Sequence, residues 1–250
     1  MKVALFILFY VAFYVPSAFS NSLLQSHSKE KLSQVSTKEI VSYDSDGFYT
    51  GLILGGQFGR SSDKTGAFGY NADNDKWAYN ETGFNAGAEF GYSYPWHRLV
   101  IGPEIELGYL RMGGSGAQPN SPGLDTVGKS SSDFYTTFRA RLGTALDRSL
   151  IYATGGIIGV NYKKQVVDSC NIAPCGGGTV DAQKNDFVWG YTVGGGVEHL
   201  FDKGWSAKLE CLYFNLNSQS FSGTTNLGNT YDWTGQTLGY IIRGGLDYHF

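Results

Sequence analysis

A chain of 250 residues with a net charge of −3 suits one sizeable domain and lacks the basic excess that nucleic-acid binding requires. Only 16% of it is charged, against roughly 25% in soluble domains, whereas 35 glycines and 15% aromatics favour strands with half-buried faces.

The first twenty residues read as a leader. Lys2 precedes the apolar run VALFILFYVAFYV (3–15), Pro16 breaks it, and Ala18 and Ser20 supply small residues at cleavage spacing. The run is shorter than the about 20 residues a helical span needs, so residues 1–20 are expected to be a cleaved signal peptide. Residues 21–46 are polar, without alternation, and read as an amino-terminal tail or linker. No later run could form a helical span, which leaves a soluble exported protein or a β-barrel for 47–250.

From residue 47 onward the hydrophobic period is two. The stretch 47–59 is Gly-rich and less regular. In 82–94, Phe84, Ala86, Ala88, Phe90, Tyr92 and Tyr94 share one face, and Gly83, Asn85, Gly87, Glu89, Gly91 and Ser93 the other. In 99–109, Leu99, Ile101, Ile105, Leu107 and Tyr109 oppose Gly102, Glu104, Glu106 and Gly108. In 134–146, Phe134, Phe138, Ala140 and Leu142 oppose Tyr135, Thr137, Arg139, Arg141 and Gly143. The stretch 150–162 is again Gly-rich. In 187–201, Phe187, Trp189, Tyr191, Val193 and Val197 oppose Gly190, Thr192, Gly194 and Glu198. In 205–215, Trp205, Ala207, Leu209, Cys211 and Tyr213 oppose Ser206, Lys208 and Glu210. In 238–250, Leu238, Tyr240, Ile242, Leu246, Tyr248 and Phe250 oppose Arg243, Asp247 and His249.

That makes eight strands, and their connections alternate in length. Tight turns follow Tyr94, Leu146 and Phe201, whereas 60–81, 113–133, 163–186 and 216–236 are each about twenty residues. A Greek-key sandwich has no reason to alternate so regularly. Tyr92, Tyr94, Tyr109, Trp189, Trp205 and Tyr248 fall toward strand ends on the apolar face, as interfacial girdles do. The fold class expected is all-β: an eight-stranded antiparallel up-and-down transmembrane β-barrel, with four long extracellular loops and short periplasmic turns.

An eight-stranded barrel has an interior just wide enough for side chains. The small-residue face therefore points inward, and its charges must pair. Six acids, Glu89, Glu104, Glu106, Glu198, Glu210 and Asp247, face four bases, Arg139, Arg141, Lys208 and Arg243. Glu198 and Asp247 lie near strand ends, where water could solvate them instead. A barrel filled in this way should conduct poorly or not at all.

The segments GFYTGLILGGQFG (47–59), GAEFGYSYPWHRLVIGPEIELGY (87–109), RARLGTALDRSLIYATGGIIGV (139–160) and TVGGGVEHLFDKGWSAKLECLYFNL (192–216), followed by an aromatic last residue, are similar to a small family of alphaproteobacterial outer-membrane surface antigens. That family includes the 25/31-kDa immunogenic outer-membrane proteins and related hemin-binding proteins. The resemblance covers 47–250, and the Arg-Ala-Arg-Leu-Gly and Thr-Gly-Gly block is its most specific part. It departs from the family at His199 and Cys211, where Tyr is common, and in its longer tail and loop cysteine pair. It implies a surface-exposed barrel in the outer membrane of a Gram-negative bacterium, with porin-like, structural, adhesive or hemin-binding roles. It also implies that Phe250, with Tyr248, serves as the terminal signal read by the barrel-assembly machinery.

Cys170 and Cys175 bracket CNIAPC in a loop, and in an exported protein they are expected to form a disulfide. Cys211, on the lipid-facing phase, reads as a small apolar residue. His27 falls in the tail and His97, His199 and His249 at periplasmic turns or strand ends. Hemin, if bound, would then draw on Tyr70, Tyr79 or Tyr231 in the outer loops. No nucleophile elbow or zinc motif occurs, so no enzymatic activity, metal or resident cofactor is expected. The partners expected are outer-membrane lipid, the assembly machinery and host surface molecules or hemin, with no nucleic acid. The loops read equally as recognition surface or as plain soluble connections.

Overall fold

The computed structural model describes residues 46–66, 76–118, 126–168, 178–201 and 204–250. The segments read as leader and tail therefore lie outside the described residues, apart from Asp46.

Nine strands follow in chain order: β1 (Gly47–Thr65), β2 (Lys76–Trp96), β3 (Leu99–Ala117), β4 (Val127–Leu146), β5 (Ser149–Asp168), β6 (Val180–Leu200), β7 (Trp205–Leu216), β8 (Gln219–Thr224) and β9 (Thr230–His249). Each pairs antiparallel with its sequence neighbour from β1 to β7, and β1 pairs with β9 to close the sheet. Both β7 and β8 pair with β9, along its lower and upper halves. The closed ring thus has eight staves, the seventh interrupted at Asn217–Ser218. Closure leaves neither β1 nor β9 as an open edge.

The apolar phase of every stave faces outward. Leu52, Phe90, Leu107, Phe138, Ile151, Val193, Leu209 and Ile242 are all exposed on the outer wall. Only a lipid environment makes such a surface favourable. Tyr94, Tyr109, Trp189, Trp205 and Tyr248 lie on this wall, and Trp205 meets Tyr248 edge-on at 5.2 Å.

The short connections carry the backbone geometry that tight hairpins need. His97 and Asp147 have φ of 60° and 53°, matching the twist of the strands they join.

The long connections differ from the expectation. The strands are 19 to 21 residues in β1–β3 and β6, about twice the 9–11 residues that span a membrane. Most of 60–81, 113–133 and 163–186 is therefore sheet, and 216–236 is largely the β8–β9 hairpin. The period of two continues above the apolar belt, with its outward members turned polar. Arg60, Ser62 and Lys64 point out from β1 while Ser61, Asp63 and Thr65 point in. Above the lipid the outer face meets water, so apolar alternation fades while the ladder persists.

The interior is layered. Near the short turns, Val100, Leu150 and Tyr152 cluster with Ala145 and Leu200. A charged layer lies above them. An apolar layer of Leu110, Met112, Tyr135, Ile158, Val160, Leu212, Phe214 and Ile241 follows. In the extracellular half, Trp77, Tyr79, Val166, Val180, Ala182, Phe221 and Trp233 form a further apolar cluster. Among the described residues no ladder joins β6 to β8. Their facing edges meet instead through these side chains, with Lys184 Nζ donating to the Ser220 carbonyl at 3.1 Å.

Candidate functional site

Strand register builds the charged layer. Glu104 on β3 sits opposite Arg139 on β4, and Glu210 on β7 opposite Arg243 on β9. Partners in register project to the same face, so each acid meets a base inside the barrel. Glu89 on β2 and Asp247 on β9 both sit opposite Gly51 on β1. Gly51 keeps this row open, because a Cβ there would meet the Asp247 carboxylate and lie 2.8 Å from the Leu246 carbonyl oxygen.

All ten charged residues singled out from the sequence are buried in the lumen. Glu198 and Asp247 are no exception, at 1% and 0% exposure, so water does not solvate these two strand-end carboxylates. The covering layer of Val100, Leu150 and Tyr152 lies toward the same end of the barrel.

The ion pairs form one connected set. Arg139 contacts Glu104, Glu106 at 3.2 Å and Glu210 at 3.3 Å. Arg141 contacts Glu198 at 2.5 Å and Glu104 at 3.4 Å, with its guanidinium 4.1 Å from the Tyr152 ring centre. Arg243 reaches Glu106 and donates from Nε to Glu210 at 2.7 Å. Lys208 pairs with Glu89 and lies 3.5 Å from Glu104 and 3.7 Å from Asp247.

Several uncharged partners had not been assigned from the sequence. Tyr49 donates its hydroxyl to Glu104 at 2.7 Å and accepts from Arg141 at 2.7 Å. Tyr152 donates to Glu210 at 3.0 Å, and Tyr135 donates to Glu106. Their signal was phase: each lies on the inward alternation of its strand. The same signal would have found a second buried pair, Lys164 with Asp63 at 2.6 Å, which lies in a region read as loop.

Ser206, His249 and Glu198 also converge. Ser206 Oγ donates to Glu198 at 2.7 Å, and His249 Nε2 lies 3.0 Å from both the Ser206 and Glu198 oxygens. A Ser–His–acid triad needs the acid on the other imidazole nitrogen. Here one nitrogen serves both partners and Ser206 is fully buried, so the group is a structural bridge. His199 bonds Ser149 at 2.9 Å on the outside, and His97 sits in a turn.

The tyrosines considered for hemin separate. Tyr70 lies outside the described residues, as does the Cys170–Cys175 pair. Tyr79 is not a loop residue: it points into the extracellular half of the barrel at 6% exposure. Burial and the nearby Asp63 carboxylate push its phenol well above the usual range, so it stays protonated and is a poor phenolate ligand. Tyr231 is half-buried against Trp233. Phe250 projects outward beside Tyr248, and its backbone N–H donates to the Phe48 carbonyl at 3.0 Å. Cys211 is a free thiol exposed on the lipid-facing wall.

A family described as the outer membrane protein beta-barrel domain matches residues 32–250. The chain belongs to this outer-membrane β-barrel family. It is 27% identical over 170 residues to the 31 kDa outer-membrane immunogenic protein of Brucella melitensis, covering 67% of each chain. It is 29% identical over 212 residues to the 25 kDa outer-membrane immunogenic protein of Brucella abortus, covering 83% of this chain and 80% of that one. It is also 29% identical over 200 residues to a 22 kDa outer membrane protein of Rhizobium leguminosarum, covering 79% of each. Among solved structures, OprG of Pseudomonas aeruginosa superposes with a TM-score of 0.48 at 11% identity, covering 82% of this chain and 98% of that one. This outer-membrane barrel resides in the outer membrane of a Gram-negative bacterium, its apolar wall in lipid and its long hairpins outside.

Proposed function

We propose that this barrel is a closed, non-catalytic surface protein that strengthens the outer membrane and presents its four extracellular hairpins to partners outside the cell. The observation that carries the reading is the filled lumen. Ion pairs, an apolar layer and a second apolar cluster occupy successive levels of the interior. A continuous water path would need a gap through each level. The paired strands extend well beyond the lipid belt, and function tends to sit on the connections that such a scaffold positions. Two relatives carry the word immunogenic in their names, in keeping with surface exposure.

Planar-bilayer recording of purified, refolded protein tests the closed lumen. No stable openings are expected. Reproducible unitary steps from protein free of other porins would overturn the reading in favour of a narrow diffusion channel.

A further inference from the structure

Within the membrane every carboxylate of the charged layer meets a base. The extracellular half of the lumen breaks that rule at Glu81 on β2. Its side chain is fully buried, and among the described residues it forms no ion pair. Lys164, which points into the same half, is taken by Asp63 at 2.6 Å, and Lys184 by Asp186 at 3.0 Å. Arg60, Lys64, Arg111, Lys129 and Lys163 stand on the outward phase of their strands. Asp168, four residues above Lys164 on β5, is another acid and accepts from Thr126 at 2.8 Å. Lys164 and Asp63 cancel, so Glu81 is left as a surplus negative charge. A buried ion without a counter-charge is costly.

Oxygen surrounds this carboxylate. Its Oε1 accepts from the Tyr162 hydroxyl at 2.5 Å and from Ser130. Tyr162 lies 2.9 Å from Thr237 Oγ1 and 3.1 Å from Ser61 Oγ, and those two meet at 2.6 Å. Its Oε2 has no hydrogen-bond partner among the described residues. Tyr79, two residues earlier on the same inward phase, stands beside Ser61, Ser130, Asp63 and Glu81 at 6% exposure, yet its hydroxyl makes no well-formed hydrogen bond. Two buried oxygens without partners in one cluster of hydroxyls require an occupant. A bridging water would satisfy both but leave the charge in place. A proton on Oε2 would remove the charge but find no acceptor. A small cation answers both needs: hard cations take oxygen ligands, and one surplus carboxylate matches one positive charge.

We propose that the extracellular half of the lumen binds one hard monovalent cation of the sodium class, held by Glu81 Oε2 and the neutral Tyr79 hydroxyl with the Ser61 and Ser130 hydroxyls beside them. The ion neutralises Glu81 and ties β1, β2 and β4 together above the membrane. The site is inside the barrel, so it is separate from the surface role proposed above.

The test uses the full barrel folded in neutral detergent. Urea unfolding, read by heat-modified gel migration, is compared in sodium, calcium and choline chloride at one ionic strength, so that screening is common to all three. Sodium at about 100 times its dissociation constant should lower the unfolding constant of the parent on the order of a hundredfold relative to choline. Glu81→Gln keeps an oxygen for Tyr162 and Ser130 but removes the charge, so it should unfold alike in sodium and choline. Tyr79→Phe should need more sodium for the same effect. Asp181→Asn, on the outer wall, should respond as the parent does. Crystals of the parent soaked in thallium(I), a heavy monovalent cation, should show an anomalous peak beside Glu81, whether or not the variants fold. Equal unfolding of the parent in sodium and choline, or no thallium peak in the cluster, would overturn the proposal in favour of a proton or a bridging water. A full sodium response in Glu81→Gln would overturn it too. So would a calcium response that exceeds the sodium one and is lost in Glu81→Gln, because the ion would then be divalent.

Discussion

Glu104 on β3 and Arg139 on β4 are register partners, and their side chains meet with no solvent access to either. The pair is the hub of the lumen: Glu104 also contacts Arg141 and Lys208, and Arg139 also contacts Glu106 and Glu210. Buried ions of this kind hold where each has several partners, as Arg139, Arg141, Arg243, Glu104, Glu106 and Glu210 do, which offsets the loss of water.

Removing one base should therefore strand several acids. Arg139→Met is expected to lower the unfolding free energy by about 3–5 kcal/mol, the usual effect of breaking a buried pair. Arg139→Lys should restore only part of it, since one ammonium cannot reach three carboxylates in a planar fork. Urea unfolding of the barrel in lipid vesicles, followed by gel migration, reads both. A loss below about 1 kcal/mol would mean that water reaches the network and screens it.

Gly51 separates Glu89 from Asp247 on a single row of the sheet. A Cβ there would clash with the Asp247 carboxylate and also lie 2.8 Å from the Leu246 carbonyl oxygen. Gly51→Ala should cost about 1–3 kcal/mol, as overpacking does. Gly51→Leu should abolish folding, seen as the absence of a heat-modifiable band. A folded Gly51→Leu barrel would show that the wall can bend outward at this row.

Phe214 is fully buried in the apolar layer above the charges. Phe214→Ala should destabilise the barrel by about 3–5 kcal/mol while leaving it electrically silent. The charged layer beneath still blocks the path. Stable openings in this variant would place the barrier to ions in the apolar layer alone.

Cys211 faces the acyl chains. In a Cys170→Ser/Cys175→Ser background, a lipid-soluble maleimide should label it in intact vesicles, and a charged, water-soluble maleimide should not. Reversed selectivity, scored by mass spectrometry, would put the apolar wall of β7 in water.

Tyr79 is held protonated inside the barrel, so it should play no part in any hemin association. Soret titrations of the parent and Tyr79→Phe barrels should superimpose. A phenolate-type shift lost in the variant would require the extracellular half to open.

The chain itself carried the outward phase from Phe48 to Phe250, and with it the barrel, the lipid-facing wall and the inward charges. Alternation is a local property, and a membrane barrel writes its two solvents directly onto alternate residues. The extracellular staves were less legible, because Arg60, Ser62 and Lys64 look like loop once the outer solvent is water. Asp63, the partner of Lys164, was missed for that reason. What only the tertiary structure decided is which charges meet. Arg243 and Glu106 are 137 residues apart and lie on strands that are not neighbours, yet they touch across the lumen. Such contacts depend on closure and register of the whole ring. A one-residue slip of any stave would turn its charges into lipid, so the pairing belongs to the closed sheet and to no single strand.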